Sequence, residues 1–581
     1  MPRPDVSSRD FIAGVAAGVA VGAAACVTAA VLLEQLFPKH ARGWTTLKAV
    51  QRIGSFRNPH YGLKQVRTSK EEMGAQEEKT PKAPIPDPEI ALPNDYLKKH
   101  PKGLGVEPMI VKGREVTEVL VLPVQRLDDF YESKKAENQL GTRYAEGDNP
   151  YHNYNQFTAG EDVILGDIVR KSNSGHSSRA YLRAGPRKTL YFKPNEVRAA
   201  IVTCGGLCPG LNNIVREVTK SLLNLYGVPE VWGVRGGYWG FHESSESDDN
   251  LKPMLLTHSN ISGIQHKGGT ILGSARGGYD LEAIFGFCER HKINQLYVVG
   301  GDGTHRAANK FGLEAIARKA NIAVAGIPKT IDNDLDLVDR TFGFNSAVMA
   351  AQDAINSAAV EARDNLPNGI GIVKLMGRHA GFIAAHATLA SGDVDLCLVP
   401  EVEVELEGKY GVLPHIERVL KAKGRCVVVV AEGAGEELVG ASAGVDAGGN
   451  KKLPEIGPFI KDAINTYFKA KQTTVNVKYI DPSYMVRSVP ANASDSLFCM
   501  LLAQNAVHGA MAGYTCFTTG LCCNRTVYLP IPALVENSPR MMDKAGRTWE
   551  RIITVTGQPN RPVEKKIGGA NEYAVQPATV F

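Results

Sequence analysis

Short apolar runs alternate with longer amphipathic segments along the chain from about residue 197. Six apolar runs rich in β-branched residues have the length of buried strands: residues 199–203, 295–299, 322–327, 369–374, 394–398 and 426–430. Five segments carry helical periodicity: residues 211–226, 305–320, 345–364, 381–391 and 492–509. Such alternation is typical of parallel strands joined by right-handed crossovers. The pattern therefore predicts an α/β fold with two halves.

Changes in the pattern divide the chain into five predicted regions. Residues 1–40 hold an apolar segment, residues 41–105 form a disordered linker, and residues 106–196 form an extension without a recognisable motif. Residues 197–400 form the first α/β half, and residues 401–581 form the second half with a C-terminal tail. The linker prediction rests on residues 69–93, which are rich in Glu, Lys and Pro and bury too little apolar surface to fold alone.

The N-terminal apolar segment begins at Phe11 and ends at Leu33, so it is long enough to cross a bilayer as a helix of roughly 20 residues. Gly14, Gly18 and Gly22 recur at a spacing that lets membrane helices pack closely. A retained membrane anchor, a cleaved targeting segment and a soluble buried helix are all compatible with this pattern. The body of the protein would lie in the cytosol or in an organelle matrix or stroma.

The amino-acid composition indicates which kinds of molecule the protein binds. Among 581 residues, 66 are basic and 61 acidic, which gives a net charge of only +5 and no basic patch of the kind that binds nucleic acid. Apolar residues make up 43% and charged residues 22%, which is ordinary for a folded globular protein. The 10 cysteines show no regular framework and are expected to be thiols. Small anionic molecules are therefore the expected ligands.

Two polar motifs follow predicted strands. Residues 300–304 read GGDGT and residues 328–334 read PKTIDND. Both lie where strands of α/β sheets end, which is where such folds bind ligands. In the first motif, glycine backbone can approach a polyphosphate and Asp302 can hold a metal ion. In the second, Asp332 and Asp334 lie beside Thr330, an arrangement suited to deprotonating a sugar hydroxyl. Together the motifs predict phosphoryl transfer to a small hydroxyl compound.

Seven motifs then occur in a recognisable order: residues 205–212, 269–276, 300–304, 328–334, 376–378, 431–433 and 484–487. In this order they resemble the 6-phosphofructokinases over residues 184–531, and most of all the plant, algal and trypanosomatid ATP-dependent branch. The resemblance implies two Rossmann-like parallel-sheet halves with the active site between them. It also implies that fructose 6-phosphate is phosphorylated by ATP at its 1-hydroxyl with Mg²⁺, in a homo-oligomer for which a tetramer is favoured.

The resemblance assigns the ATP-binding role to residues of three loops, namely Gly205, Gly206, Arg276, Gly277, Gly301, Asp302, Gly303 and Thr304. Glycine between a strand and a helix suits phosphate binding, although tight turns favour glycine for structural reasons too. Asp302 is the expected Mg²⁺ ligand, with helix capping as its alternative role.

Gly303 and Lys329 are predicted to select the phosphoryl donor. Pyrophosphate-dependent relatives commonly have aspartate at the position of Gly303, where it would obstruct the α-phosphate of a nucleotide. They also have lysine at the position of Lys329. The alternative interpretation of Lys329 is a solvated loop lysine without a role in donor selection. The combination of Gly303 with Lys329 resembles the ATP-using branch. A pyrophosphate-dependent enzyme remains the alternative.

The catalytic prediction rests on four residues. Asp332 is the expected general base for the sugar hydroxyl, Thr330 would hydrogen-bond the transferred phosphoryl group, and Asp334 would orient the site. Arg378 would neutralise charge on the transferring group. The alternative for residues 330–334 is an Asx-type turn without chemistry. A catalytically silent regulatory subunit is a further alternative, which the intact motifs argue against.

The predicted substrate-binding residues are Thr330, Ile331, Asp332, Met376, Gly377, Arg378, Glu432, Lys478, Tyr484, Met485, Val486 and Arg487. Glu432 would accept hydrogen bonds from sugar hydroxyls, and Lys478, Tyr484 and Arg487 would bind the 6-phosphate. Each residue could instead be a surface or strand-end residue without a ligand. Two positions depart from the bacterial pattern: Gly369 stands where a neighbouring subunit supplies an arginine, and Tyr484 replaces a histidine. The resemblance to the bacterial enzymes therefore does not extend to the part of the site between subunits.

Two pairs of residues have both a regulatory and a structural interpretation. Arg216 and Lys220 lie where bacterial relatives bind an allosteric nucleotide, but a solvated helix face explains them equally well. Cys204 and Cys208 bracket the first phosphate loop and could form a redox switch, although buried thiols are the simpler explanation.

Overall fold

This computed structural model describes residues 110–111, 114–115, 119–130, 157–166, 178–440, 444 and 453–561. All of them lie in one compact unit, Pro88–Phe581. The predicted apolar segment between Phe11 and Leu33 and the predicted linker of residues 41–105 lie outside the described residues. Among the residues that are described, no helix is both long enough and apolar enough to cross a bilayer.

The strands found in these ranges are β1 Ile110–Val111, β2 Arg114–Glu115, β3 Val119–Leu122, β4 Val163–Leu165, β5 Ser178–Arg183, β6 Arg198–Thr203, β7 Glu230–Val234, β8 Met254–Leu255, β9 Gln295–Gly300, β10 Ala323–Pro328, β11 Gly369–Leu375, β12 Leu396–Leu398, β13 Arg425–Ala431, β14 Asn476–Ile480, β15 Phe517–Cys522 and β16 Arg525–Pro530.

The α-helices are α1 Leu211–Lys220, α2 Leu281–Arg290, α3 Asp302–Ala317, α4 Phe344–Asp364, α5 Phe382–Ser391, α6 Val412–Lys423, α7 Glu436–Val439, α8 Ile456–Ala470, α9 Ser483–Ser488, α10 Ala493–Met511, α11 Ile531–Glu536 and α12 Arg547–Thr556. The segment predicted as one helix at residues 211–226 is α1 followed by a π-helical turn, Ser221–Tyr226.

Two sheets dominate the described part of the chain. The larger has the order β3-β5-β16-β15-β10-β9-β6-β7-β8, with β4 paired to β5, and the smaller has the order β12-β13-β11-β14. Strands β15, β10, β9, β6 and β7 form a run of four parallel pairs, flanked by the antiparallel pairs β15–β16 and β7–β8. Every pair in the smaller sheet is parallel. All six predicted strands and all five predicted helices are present within a few residues of their expected bounds. The predicted α/β class is confirmed, although the larger sheet is mixed, with antiparallel pairs at β4–β5, β5–β16, β15–β16 and β7–β8.

The division between the sheets differs from the predicted boundary at residues 400 and 401. Strand β11 already belongs to the smaller sheet, and β15 and β16 return from beyond residue 500 to the larger one. The acidic stretch near residue 401 is a connection between β12 and α6, within the part of the chain that builds the smaller sheet. Local polarity correctly indicated a loop there. It could not indicate the division between the sheets, because strand pairing between distant segments leaves no local signature.

Burial explains the apolar composition of the central strands. Every residue of β9, β10 and β15 is buried, as expected when helices cover both faces of a parallel sheet. The polar motifs are thereby confined to the loops at the carboxyl ends of these strands. The region predicted as an extension contributes β3, β4 and β5, which add to one edge of the larger sheet.

Candidate active site

The loop after β6 is built around a buried cation. Lys329 lies at the end of β10 with 7% of its surface exposed, and its Nζ donates a hydrogen bond to the carbonyl of Gly206 at 2.9 Å. Gly205 has φ of +86°, and a Cβ there would lie 3.1 Å from Nζ of Lys329. Lys329 is therefore not a solvated loop lysine. It places a positive charge directly beneath the predicted phosphate loop.

Neighbouring groups bear on that charge. Burial lowers the pKa of Lys329, and the Cys208 and Cys204 thiols and the Asp332 carboxylate act in the opposite direction. Both cysteines are buried, and burial raises the pKa of Cys204 to about 12. Such a thiol is a poor nucleophile. The packed-thiol explanation of this pair thus fits the structure better than the redox switch.

The second phosphate loop is joined to the first. The amide of Gly205 donates to the carbonyl of Ala275 at 3.0 Å, and Oγ of Ser274 donates to the carbonyl of Gly205 at 2.7 Å. Gly277, with φ of +74°, continues this loop. The carbonyl of Arg276 accepts a hydrogen bond from the indole of Trp239 at 3.1 Å. The structure thus brings the predicted ATP-binding residues Gly205, Gly206, Arg276 and Gly277 together.

The GGDGT motif forms the start of α3. Gly301 precedes the helix and Asp302 is its first residue. The Asp302 side chain is 50% exposed and lies 3.6 Å from the guanidinium of Arg306. A Cβ at Gly303 would meet no atom within 4 Å, whereas one at Gly300 would collide with the neighbouring Thr304 at 2.5 Å. Open space at Gly303 is what the prediction about the phosphoryl donor requires.

The residues present fit a magnesium ion of the kind that binds with substrate. The described residues hold no cluster of three His, Cys, Asp or Glu side chains able to form a complete metal cage. Mg²⁺ in phosphoryl-transfer sites needs only one or two carboxylates, and takes its other ligands from water and phosphate oxygens. Asp302, half-exposed at a helix start beside the phosphate loops, meets that requirement.

The residues 330–334 form a hydrogen-bonded turn. Oγ1 of Thr330 donates to Oδ1 of Asp334 at 2.8 Å and accepts from the amide of Asp332 at 3.2 Å. Asn333 has φ of +58°, and its Oδ1 accepts from the amide of Thr341 at 2.9 Å. The turn chemistry predicted as the alternative is thus present. However, it engages Thr330, Asn333 and Asp334, and leaves the Asp332 carboxylate out.

Asp332 is the exceptional carboxylate of the site. Its Oδ1 is buried and has no hydrogen-bond partner among the described residues. Burial raises the pKa of Asp332, as do the carboxylates of Asp334 and Glu432, while Lys329 and Arg378 act to lower it. A buried polar atom without a partner costs roughly 1–3 kcal/mol. An acceptor kept available at that cost suits a group that receives a proton.

Arg378 and Glu432 come from the loops of the smaller sheet, and both influence the pKa of Asp332 electrostatically. Arg378 follows β11, and Glu432 follows β13. Their loops are packed closely: a Cβ at Gly433 would lie 2.0 Å from the carbonyl of Arg378, and the amide of Gly433 donates to the carbonyl of Gly377 at 3.1 Å. Burial raises the pKa of Glu432, and Arg378 acts to lower it. Met376 packs partly buried against the core.

The predicted 6-phosphate residues are on β14 and α9, and the structure distinguishes among them. Tyr484 and Met485 are 75% and 72% exposed, while the guanidinium of Arg487 lies 4.8 Å from the Tyr484 ring centroid and its Nε is buried without a partner. Lys478 lies within β14, where it pairs with Gly371 of β11. The side chain of Val486 is buried in the core, as is that of Ile331.

Two residues near the site were missed by sequence reasoning. Nζ of Lys374 lies 2.7 Å from Oδ2 of Asp481 and helps to lower the pKa of Glu432. A single lysine in the apolar run of β11 was a usable signal for it. Arg540 donates its amide to the carbonyl of Asp334 at 2.7 Å. It follows the last recognisable motif, so the sequence offered no signal.

Comparison with known proteins gives a consistent result. The sequence model of the family described as "Phosphofructokinase" matches residues 198–510. The chain is 46% identical over 417 residues to "ATP-dependent 6-phosphofructokinase 7" of Arabidopsis thaliana, covering 71% of this chain and 84% of that protein. It is 41% identical over 441 residues to "ATP-dependent 6-phosphofructokinase" of Borreliella burgdorferi, covering 74% of this chain and 94% of that protein.

A trypanosomatid relative and a solved structure agree with this. The chain is 43% identical over 376 residues to "ATP-dependent 6-phosphofructokinase" of Trypanosoma cruzi, covering 64% of this chain and 76% of that protein. The crystal structure of a pyrophosphate-dependent phosphofructokinase from Marinobacter aquaeolei shares the fold, with a TM-score of 0.50 and 20% identity over 64% of this chain and 94% of that one. The family predicted from the motifs is confirmed: the chain belongs to the phosphofructokinase family.

Proposed function

We propose that this protein transfers the γ-phosphoryl group of ATP to the 1-hydroxyl of fructose 6-phosphate, giving fructose 1,6-bisphosphate and ADP. The relatives named ATP-dependent 6-phosphofructokinase support both substrates. The observation that carries the proposal is the Oδ1 atom of Asp332, which is buried without a hydrogen-bond partner. It lies in the fields of Lys329 and Arg378, the two cations expected to face phosphate.

In this proposal Asp332 accepts the proton of the attacking hydroxyl. General base assistance of this kind is typically worth about 10²–10⁴-fold. Arg378 balances the charge that develops on the transferring phosphoryl group, which is the dominant contribution in phosphoryl transfer. The hydroxyl of Thr330 donates a hydrogen bond to Oδ1 of Asp334 at 2.8 Å, which fixes its direction toward the turn. Glu432 binds the sugar hydroxyls, and Lys478, Tyr484 and Arg487 bind the 6-phosphate.

ATP rather than pyrophosphate is favoured by the space at Gly303. Because a Cβ at this position would meet no atom within 4 Å, room for the nucleotide's α-phosphate exists beside Asp302. The pyrophosphate-dependent reaction is the second candidate, since Lys329 matches enzymes of that type. Its hydrogen bond to Gly206 places Lys329 beneath the loop for the phosphate chain, where it would serve either donor.

We further propose that Mg²⁺ binds with the nucleotide and that Asp302 holds it. When bound, the ion would neutralise charge on the β- and γ-phosphate oxygens. We also propose a homo-oligomer, with a tetramer favoured, as the family resemblance implies. The absence of an arginine at Gly369 leaves open which residues a neighbouring subunit would contribute.

The test is a phosphoryl-transfer assay with purified protein. Fructose 6-phosphate is offered with Mg-ATP or with Mg-pyrophosphate, and the product is identified by ³¹P NMR. Turnover with ATP and a new 1-phosphate resonance are expected. Turnover with pyrophosphate alone would select the second candidate, and no turnover with either donor would refute the proposed reaction.

A further inference from the structure

Residues 537–542, here called the strap, follow α11 and lie against the loop that carries the predicted base. The amide of Arg540 donates to the carbonyl of Asp334 at 2.7 Å. Its guanidinium donates from Nε to the carbonyl of Asn333 at 3.3 Å and from Nη1 to the carbonyl of Val338 at 3.3 Å. One arginine thus holds three backbone carbonyls of the loop immediately after Asp332.

Two further strap residues contact the same loop at Asp336. Oγ of Ser538 accepts a hydrogen bond from the amide of Asp336 at 3.1 Å, and Nδ2 of Asn537 donates to its Oδ2 at 3.3 Å. The loop is therefore tied to the strap at both its start and its middle.

The other end of the strap is tied to the loop that carries Arg378. Oε1 of Glu401 accepts hydrogen bonds from the amide of Met542 at 2.8 Å and from the amide of Gly381 at 2.9 Å. Gly381 is three residues after Arg378. In addition, the guanidinium of Arg540 lies 5.3 Å from the ring centroid of Phe382, the first residue of α5. The strap thus contacts both catalytic loops.

These contacts join parts that the sheets do not join. Asp332 follows β10 of the larger sheet, whereas Arg378 follows β11 of the smaller one, and no strand pairing links the two sheets in the described residues. Catalytic groups must be held within about 0.5 Å of their productive geometry. The two sheets share one hydrophobic core, and the strap adds a polar connection between the two loops themselves.

We propose that the strap sets the separation between Asp332 and Arg378, and that Arg540 and Glu401 are its positioning residues. This inference rests on the proposed function of the same site. The arginine fork is suited to the task because its planar donors reach two carbonyls at once, which a lysine ammonium on a flexible stem does not do with the same geometry. With both loops tied to the strap, the separation between Asp332 and Arg378 stays constant.

The first experiment compares Arg540→Ala with Arg547→Ala. Arg547 lies in α12 with its side chain 80% exposed, so it is a matched control from the same part of the chain. Misplacement of reacting groups by about 1 Å can cost roughly 10²-fold in rate, so we expect kcat to fall by about that factor in Arg540→Ala. Both KM values should stay within about threefold, because none of the strap's hydrogen bonds described above involves a predicted substrate-binding side chain.

Two additions separate positioning from simple stability. Millimolar guanidinium should restore part of the kcat of Arg540→Ala, and Arg540→Lys should be intermediate. A merely structural arginine would lower thermal stability without selective loss of kcat and without rescue. Unchanged kcat in Arg540→Ala, or a rise in both KM values with kcat preserved, would overturn the proposal.

A second pair of variants covers the case in which Arg540→Ala does not fold. Glu401→Gln keeps an Oε1 acceptor for the amides of Met542 and Gly381, whereas Glu401→Ala removes it. We expect Glu401→Gln to stay within about threefold of the parent kcat and Glu401→Ala to lose roughly tenfold or more, as a disturbed catalytic geometry requires. Equal kcat values in the two variants would overturn the proposal.

Hydrogen exchange keeps this inference separable from the proposed function. Amides of residues 334–336 and 540 should exchange faster in Arg540→Ala than in Arg547→Ala or the parent, whatever the substrate. If the parent shows no turnover with ATP or pyrophosphate, the proposed function fails, while faster exchange still supports the strap. Unchanged exchange at these amides would overturn the strap.

Discussion

At the scale of single residues, the site is a compromise between function and stability. Asp332 is buried beside Asp334 and Glu432, and its Oδ1 has no partner. Ionising it in the free protein therefore costs free energy, which a substrate hydroxyl and phosphate-bound cations would offset. Lys329 is the corresponding case for a cation. Burial lowers its pKa, so its charged form is also costly, and bound phosphate in the loop above it would offset that cost.

Replacing Asp332 by Asn should remove most of the activity. The amide cannot accept the hydroxyl proton, so kcat should fall by roughly two to four decades, the usual contribution of a general base. The KM for fructose 6-phosphate should change little. Steady-state kinetics check this, and unchanged kcat would leave residues 330–334 as a structural turn only.

In the parent, kcat/KM should rise with pH through a pKa above the ordinary aspartate range, since the base acts deprotonated.

The same substitution should stabilise the free protein at neutral pH. The pKa of Asp332 is raised in the folded state, so its favourable contribution is present below the unfolded value of about 3.9 and is lost as pH rises through the folded value. The Tm difference between Asp332→Asn and the parent should therefore grow with pH across this window. Thermal melts at several pH values measure it. A difference that is constant with pH would mean that Asp332 is not ionised at a cost in the native state.

Gly303→Asp tests the choice of donor with little risk to the fold. The position lies in helical backbone at the start of α3, a Cβ there meets nothing within 4 Å, and an acidic residue in the first turn favours a helix. We expect unchanged Tm and a steep loss of kcat/KM for ATP, because a carboxylate would repel the α-phosphate. Gly303→Ala is the control and should retain ATP use. Full activity of Gly303→Asp with ATP would refute the role of Gly303.

At the scale of elements, strand ends decide where chemistry can occur. The carboxyl ends of β6, β9 and β10 bring three phosphate motifs together, and those of β11 and β13 supply Arg378 and Glu432. In β11 the polar residue just before the active-site motif is Lys374, whose side chain is only 13% exposed and pairs with Asp481 at 2.7 Å. Asp481 in turn accepts from the amide of Ser483 at 3.1 Å, at the start of α9. Lys374 thus holds the short helix that carries Tyr484 and Arg487.

Lys374→Met should weaken sugar-phosphate binding. Loss of the ion pair frees the start of α9, so we expect KM for fructose 6-phosphate to rise about tenfold, which corresponds to about 1.4 kcal/mol, with KM for ATP unchanged. Lys421→Met is the control, since Lys421 forms an exposed ion pair on α6. An equal rise in both KM values would show a general disturbance of the fold and not a role of α9.

Elements were predictable to the extent that their signals are local. β-Branched runs and helical periodicity gave the six strands and five helices, and the motif order gave the loops that hold Asp302, Asp332 and Arg378. Three things had no local signature: the return of β15 and β16 to the larger sheet, the division between the sheets, and the contacts of Arg540. Each depends on pairing between residues that are far apart in the sequence.

At the scale of the whole molecule, chemistry is concentrated in one described unit. The predicted site residues lie between Gly205 and Arg487, and the strap at residues 537–542 completes the set. Within the part of the chain that the structure describes, the first strand of the larger sheet is β3, which begins at residue 119. The predicted membrane segment between Phe11 and Leu33 therefore precedes every residue to which a role in the reaction is assigned.

Deleting residues 1–40 should accordingly leave the reaction intact. We expect kcat and both KM values within about twofold of the full chain, because the deletion removes no predicted site residue and none of the strands described for the two sheets. Location should change instead: if the segment is a retained anchor, full-length protein should sediment with membranes after an alkaline carbonate wash, and the shortened protein should not. A mature N-terminus beyond Leu36 would show cleavage of a targeting segment. Loss of activity in a shortened protein with an unchanged Tm would show that residues 1–40 build part of the enzyme, contrary to this prediction.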